Sequence, residues 1–312
     1  MSFFETPKLQ NVVLQRELPN QFSDKLSSHP IRNRLLSELV KTLENYYLRI
    51  NNNMTVQEYS FASHMHIPSY VSNDRGYFRV YDGGSDRLVV VVPQRMGAYG
   101  YNFARLVASY LASNGFYVYE IVTPLHEKRL PDGVVSTVQL PVDIQLIKSV
   151  SKQSVEEVLG LIDLVADGKV GIVGISQGAA YACIASGLEP RIKSSAYIHG
   201  FGGIANMLLY SDERFARHFR EEELKRKNKI NEQLVWEELR EVDPLSYAKS
   251  SKSDVIMINA RKDKSVPQRN IVELWKALGK PELHMFNGGH LSIALHTKRI
   301  LEIILEHFEI TL

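Results

Sequence analysis

Apolar positions between Pro30 and Ile50 recur at three- and four-residue steps, at Leu35, Leu36, Leu39, Val40, Leu43, Tyr46 and Tyr47. Such spacing lays one apolar stripe along a helix. Residues 1 to about 27 are polar and without period, so they are expected to be irregular. Two β-like stretches follow the helix, around Gln57 to Ser63 and Gly76 to Tyr81, before the turn Asp82-Gly83-Gly84-Ser85.

From Leu88 the pattern changes. Leu88 to Val92 is a continuous apolar run, as a strand covered on both faces requires. Phe103 to Asn114 reads as a helix, with Gly115 just past its last turn. Strands are then expected over Phe116 to Val122, Val170 to Gly174, Ser195 to Ile198, Val255 to Asn259 and Leu283 to Phe286. Helices are expected over Gln153 to Ala166, Gln177 to Ser186, Gln268 to Leu278 and His296 to Phe308. This alternation implies βαβ units on a mostly parallel sheet, with right-handed crossovers placing helices on both faces.

Two segments interrupt it. Leu125 to Ser151 has little period and holds Pro131-Asp132-Gly133, so a long, partly irregular connection is expected there. Phe201 to about Tyr247 contains a charge-rich helical block, read as a solvated cap over the sheet's C-terminal edge, where open α/β sheets bind ligands.

Composition narrows the class. The 312 residues carry 37 Lys and Arg against 35 Asp and Glu, a net charge of +2, with 44% hydrophobic residues. That balance excludes a disordered chain and one built around nucleic-acid binding. No apolar run reaches the roughly 20 residues of a membrane helix. The single cysteine, Cys183, excludes a disulfide framework and reads as a small core residue. The opening MSFFETPKLQNVVLQ lacks the basic start and apolar run of a secretory signal, so a cytoplasmic location is expected.

The sharpest local signal is Gly174-Ile175-Ser176-Gln177-Gly178, between an apolar strand and a small-residue helix. A serine on a tight strand-to-helix turn projects its hydroxyl above the sheet, and flanking glycines let the two backbones approach. Such a serine needs a base, and the base an orienting acid. Asp263 follows the strand ending at Ala260, and His290 follows the strand ending at Phe286. Both are expected on the same sheet edge as Ser176, in the chain order Ser, Asp, His.

With these three motifs, GISQG, the DxxVP stretch from Asp263 to Pro267 and GGH at His290, residues from about 86 to 312 resemble the α/β-hydrolase superfamily. The segment Thr123-Pro-Leu-His126-Glu-Lys-Arg129-Leu-Pro131 is similar to a P-x-H-x-x-R-x-P segment of its esterase-like and dienelactone-hydrolase-like members. The resemblance implies the α/β-hydrolase fold, a mostly parallel central sheet flanked by helices. On it, a catalytic domain over 86–312 carries a helical cap insertion at about 201–247. Residues 1–85 are expected to form an N-terminal extension of a helix and short strands packed on the core.

It further implies Ser176 as nucleophile, His290 as general base and then acid, and Asp263 as the group holding the imidazole tautomer. The N–H of Gln177 supplies one oxyanion donor. The second comes from Pro93-Gln94-Arg95-Met96-Gly97, with Arg95 favoured over Gln94 by position. Relatives with His-Gly at the start of that loop differ from the Pro-Gln found here, which leaves a backbone donor unaffected.

Other histidines are read more plainly. His64-Met-His66 lacks further ligands and reads as exposed strand histidines. His199-Gly-Phe-Gly-Gly203 lies after the nucleophile, where the oxyanion loop cannot be, and reads as a glycine-rich strand end lining the pocket. His199, Gln94, His126 and Arg129 are candidate substrate contacts.

The expected function is cleavage of a small-molecule carboxylic ester through an acyl-enzyme, without cofactor or metal. Partners other than substrate are not implied, neither nucleic acid nor membrane, and the helix over 30–50 is available to pack on the core or on a second copy as a homo-oligomer. An acyltransferase or peptidase with the same triad is the alternative. A non-catalytic binding protein on the same fold is a further one, which the intact triad argues against.

Overall fold

The apolar runs at Leu88–Val92 and Val170–Ile175 become adjacent parallel strands, and the second is buried along its whole length. The computed structural model describes residue 4 and residues 7–19, 54–95, 100–134 and 137–312. The helix expected over 30–50 lies outside the described residues. The strands are β1 (Gln10–Pro19), β2 (Thr55–Ala62), β3 (Arg75–Tyr81), β4 (Leu88–Val92), β5 (Tyr117–Val122), β6 (Val170–Ile175), β7 (Ile192–Ile198), β8 (Asp254–Ala260) and β9 (Glu282–Phe286). They form one sheet in the order β1-β2-β3-β5-β4-β6-β7-β8-β9. From β5 to β9 every pairing is parallel, and β1, β2 and β3 extend the sheet antiparallel.

The helices are α1 (Gly100–Ser113), α2 (Ile144–Val165), α3 (Gln177–Leu188), α4 (Ile204–Tyr210), α5 (Arg214–Lys227), α6 (Glu232–Leu239), α7 (Gln268–Ala277) and α8 (Thr297–Thr311). Alternate side chains of β4 sort them onto two faces. Val89 and Val91 join Leu106 of α1 and Ile304 and Phe308 of α8 in one core. Val90 and Val92 join Val155 and Ile162 of α2 and Ile184 of α3 in the other. The single cysteine, Cys183, is fully buried in that second core, and burial pushes its thiol well above the usual range.

Two sequence expectations are corrected. Residues 1 to about 27 are not irregular throughout, because Gln10–Pro19 pairs with β2. Val13 and Leu14 are 51% and 47% exposed, so these two adjacent apolar residues do not mark one buried face. It is recruited by the unpaired backbone edge of β2. The stretch from Leu125 to Ser151 is also less irregular than expected, since α2 starts at Ile144. Asp143 caps it, accepting the Leu146 N–H at 2.7 Å.

The helices α4 to α6 lie between β7 and β8, within the segment read as a cap. Glu213 caps α5 by accepting the Phe215 N–H at 2.7 Å, and Lys225, Arg226 and Lys227 sit at its negative end. Phe219 on its inner side is fully buried, which ties the charged helix to the core. Lys148 of α2 donates to Glu238 of α6 at 2.6 Å.

Two buried charge clusters brace the loop after β5. Arg129 is fully buried and grips Glu157 with both Nη atoms, at 2.6 and 2.7 Å, while donating to the carbonyls of Val122 and Asn73. Arg79 meets Glu58 at 3.1 Å, Glu120 at 3.4 Å and Glu127 more closely still, and Tyr81 donates to Glu120 at 2.6 Å. Removing one member of such a pair leaves the other charge buried alone. Glu157→Gln is therefore expected to lower stability by about 3–5 kcal/mol, read as a lower urea midpoint at unchanged slope. Arg129→Met with Glu157→Leu is expected to recover most of that loss.

Candidate active site

Ser176 occupies the turn from β6 into α3 at φ 52° and ψ −115°, a backbone region that side chains avoid. Its N–H donates to Ile198 O at 2.7 Å, which fixes the turn against β7. The glycines are required by space. A Cβ on Gly178 would lie 2.1 Å from Val92 O and 2.4 Å from Pro93 O, and one on Gly174 would lie 2.5 Å from the Ala179 Cα. Val92 pairs with Gly174, so Gln94 and Ser176 leave neighbouring strand ends side by side. Chain order reverses across the sheet here, with β5 on one side of β4 and β6 on the other, the switch point at which open α/β sheets form clefts.

Asp263 lies beyond β8, where its Oδ1 accepts the N–H groups of Ser265 and Val266 at 2.8 and 2.9 Å. Its Oδ2 is 2.7 Å from His290 Nδ1, and His290 Nε2 is 3.2 Å from Ser176 Oγ. Burial pushes the Asp263 carboxyl upward, but the neighbouring His199 and His290 imidazoles outweigh it and hold the group well below the carboxylate range. The structure thus brings together Ser176, Asp263 and His290 from three separate strand ends.

It also brings in His199. This residue directly follows β7 at φ 53°, its N–H donates to Ile258 O at 2.7 Å, and its ring is buried. His199 Nδ1 stands 3.0 Å from Asp263 Oδ2, too far off line to count as an aligned hydrogen bond. The His199 and His290 rings are 4.1 Å apart between centroids. Burial, joined by His290, pushes the His199 imidazole down to about 4 against the upward pull of Asp263. Sequence reading placed His199 against substrate and missed its approach to the acid. The available signal was its position directly beyond a buried strand on the same sheet edge.

The remaining candidates divide. Arg95 carries its guanidinium 3.4 Å over the Phe215 ring of α5, and burial lowers it to about 10, so it remains a cation at neutral pH. Gln177 opens α3, where first-turn N–H groups have no acceptor within the helix. Gln94 is half-buried beside Arg95. Arg129 is corrected from substrate contact to structural brace, since Glu157 and two carbonyls occupy its guanidinium. His126 is likewise buried, its Nδ1 2.7 Å from Pro124 O and 3.0 Å from Thr123 Oγ1, and burial lowers it to about 4.

His199, Asp263 and His290 form the one group of metal-ligand type among the described residues, with one atom from each inside 4.8 Å. Their His–Asp separations, 2.7 and 3.0 Å, are those of N–H···O contacts. Ligands of a tetrahedral zinc ion stand about 3.3 Å apart, so protons fit this spacing better than a metal. His66 pairs with Asp74 at 2.6 Å on the surface.

An acetyl xylan esterase from a Paenibacillus species superposes with a TM-score of 0.64 at 14% identity, covering 91% of this chain and 97% of that one. The chain has the α/β-hydrolase fold. An esterase from Pyrococcus furiosus matches at TM-score 0.55 and 16% identity over 76% of this chain and 88% of that one. An acylaminoacyl peptidase from Pyrococcus horikoshii matches at TM-score 0.55 and 16% identity over 84% of this chain, which spans 48% of the peptidase. The family model described as alpha/beta hydrolase domain containing 18 matches residues 205–310, a stretch that includes Asp263 and His290 but not Ser176. A comparison with curated protein sequences finds no match. Among the described residues, no helix is long and apolar enough to cross a membrane.

In this α/β-hydrolase fold the elbow depends on two glycines that no larger residue can replace without moving main chain. Gly178→Ala is expected to cost at least the roughly 1–3 kcal/mol typical of overpacking, because the obstructing atoms are carbonyl oxygens. Gly168→Ala, where the added methyl meets nothing within 4 Å, is expected to stay within about 0.5 kcal/mol of the parent. Thermal melts of the two variants make the comparison.

Proposed function

We propose that the chain is a serine hydrolase that cleaves a carboxylic ester through an acyl-enzyme. The observation that carries this reading is the continuous relay from Ser176 Oγ to His290 Nε2 at 3.2 Å and from His290 Nδ1 to Asp263 Oδ2 at 2.7 Å. His290 takes the Ser176 proton as Oγ attacks the ester carbonyl, and the imidazolium is stabilised by ionised Asp263. The tetrahedral oxyanion is met by the N–H of Gln177 and by that of Arg95, or of Gln94 beside it. His290 then protonates the departing alcohol. Water, deprotonated by His290, attacks the acyl-serine and releases the acid.

Amide cleavage is the second reading. The acylaminoacyl peptidase from Pyrococcus horikoshii favours it by sharing the fold, and the same relay would protonate a departing amine. A cytoplasmic, small-molecule role fits either reading.

A fluorophosphonate probe is expected to label the protein at Ser176, with p-nitrophenyl acetate turned over and N-acetyl amino-acid p-nitroanilides serving as the amide arm. Ser176→Ala is expected to lose labelling and several orders of magnitude of turnover. Asp263→Asn is expected to fold and to lose roughly 10⁴-fold in kcat, since the amide favours the wrong imidazole tautomer. A Ser176→Ala protein with wild-type turnover removes Ser176 from the reaction, and faster p-nitroanilide cleavage selects the amide reading.

A further inference from the structure

His199 Nδ1 is buried without an aligned hydrogen bond, 3.0 Å from the same Asp263 oxygen that faces His290. Its ring lies against the His290 ring at 4.1 Å and 31°, and it also interacts with the His290 main chain. The chain adopts a positive φ to put it there. An apolar side chain would fill the same space without leaving a buried nitrogen short of a partner, so simple packing does not account for a histidine.

The neighbouring groups define what the ring can do. Asp263, from the loop after β8, and His290, from the loop after β9, act on His199 most strongly after burial itself. Asp263 Oδ1 is already tied by two backbone N–H groups, which leaves Oδ2 to the two imidazoles. The His290 side chain is 23% exposed and follows Gly288 and Gly289, so on one side it has water and on the other His199.

We propose that His199 is a positioning residue, a neutral imidazole that shares Asp263 with His290 and forms the wall holding the His290 ring in line with Ser176. The assignment rests on the Ser-His-Asp reading above. Neutrality matters to it. A cationic His199 would oppose the positive charge that His290 acquires when it takes the serine proton, whereas a neutral N–H supports Asp263 without that penalty. With the imidazole held near 4, the ring is neutral throughout the neutral range.

Two substitutions in the full chain separate donor from wall. His199→Phe keeps a ring and removes the N–H, while His199→Asn offers a side-chain N–H near the position of Nδ1. His199→Phe is expected to lower kcat for p-nitrophenyl acetate roughly ten- to a hundredfold with little change in KM. His199→Asn is expected to retain kcat to within roughly threefold. The downfield proton resonance of the His290–Asp263 hydrogen bond is expected to move in His199→Phe and to stay in His199→Asn.

Wild-type kcat in His199→Phe, or a loss confined to KM, overturns the proposal, and the second outcome returns His199 to a substrate contact. A protein that neither hydrolyses esters nor takes the fluorophosphonate sinks the hydrolase reading alone, and an unmoved resonance in His199→Phe then overturns the sharing of Asp263. If His199→Phe does not fold, the wild-type ring decides by NMR titration. It is expected to stay neutral until the pH approaches 4, and a midpoint near the free-imidazole value of about 6.5 overturns the proposal.

Discussion

The backbone of Ser176, held at φ 52° with its N–H on Ile198 O, is the constraint from which the site follows. A non-glycine residue in such a conformation costs about 1–3 kcal/mol and persists only where its surroundings over-determine it. Here they do. β6 is buried end to end between β4 and β7, and the carbonyls of Val92 and Pro93 leave no room for a Cβ at Gly178. The turn presents the hydroxyl to His290, and the same turn opens α3, whose first N–H groups have no acceptor within the helix. Moving β4 or widening the gap at Gly174 would relax the turn and dissolve the geometry together.

Charge is handled in two ways in this molecule. Beneath the loop after β5, Arg129 and Glu157 satisfy each other through two short contacts, and Arg79 draws on three carboxylates. Those clusters pair charge with charge and serve to hold shape. At the sheet's C-terminal edge the arrangement is open instead. Asp263 is ionised, half of its capacity is spent on backbone N–H groups, and the other half faces two imidazoles, one buried and one partly in water. A site in which protons must move needs that slack.

The central strands β4, β6 and β8 were legible as apolar runs between turns, and Ser176, Asp263 and His290 could be read as polar residues in the turns that follow strand ends. The antiparallel edge was not. Gln10–Pro19 owes its strand to hydrogen bonds with β2, and Val13 and Leu14 point into water, so no local period marks it. Arg129 shows a different limit. A P-x-H-x-x-R-x-P spacing fixes which residue types are present but not which way a side chain turns, and here Glu157, 28 positions later, draws the guanidinium inward. His199 was visible as a histidine beyond a strand, yet its approach to Asp263 depends on the β7–β8 pairing and on a positive φ, neither of which is written locally.

The buried thiol of Cys183 has a practical consequence. With that one cysteine sealed in the core and its thiolate disfavoured, the folded surface of the described residues offers no thiol for maleimides or disulfide exchange to attack. A cysteine introduced on the outer side of α5 would then be the sole reactive thiol on that surface. A spin label or fluorophore placed there would report the local mobility of α5 without any background substitution having to be made first.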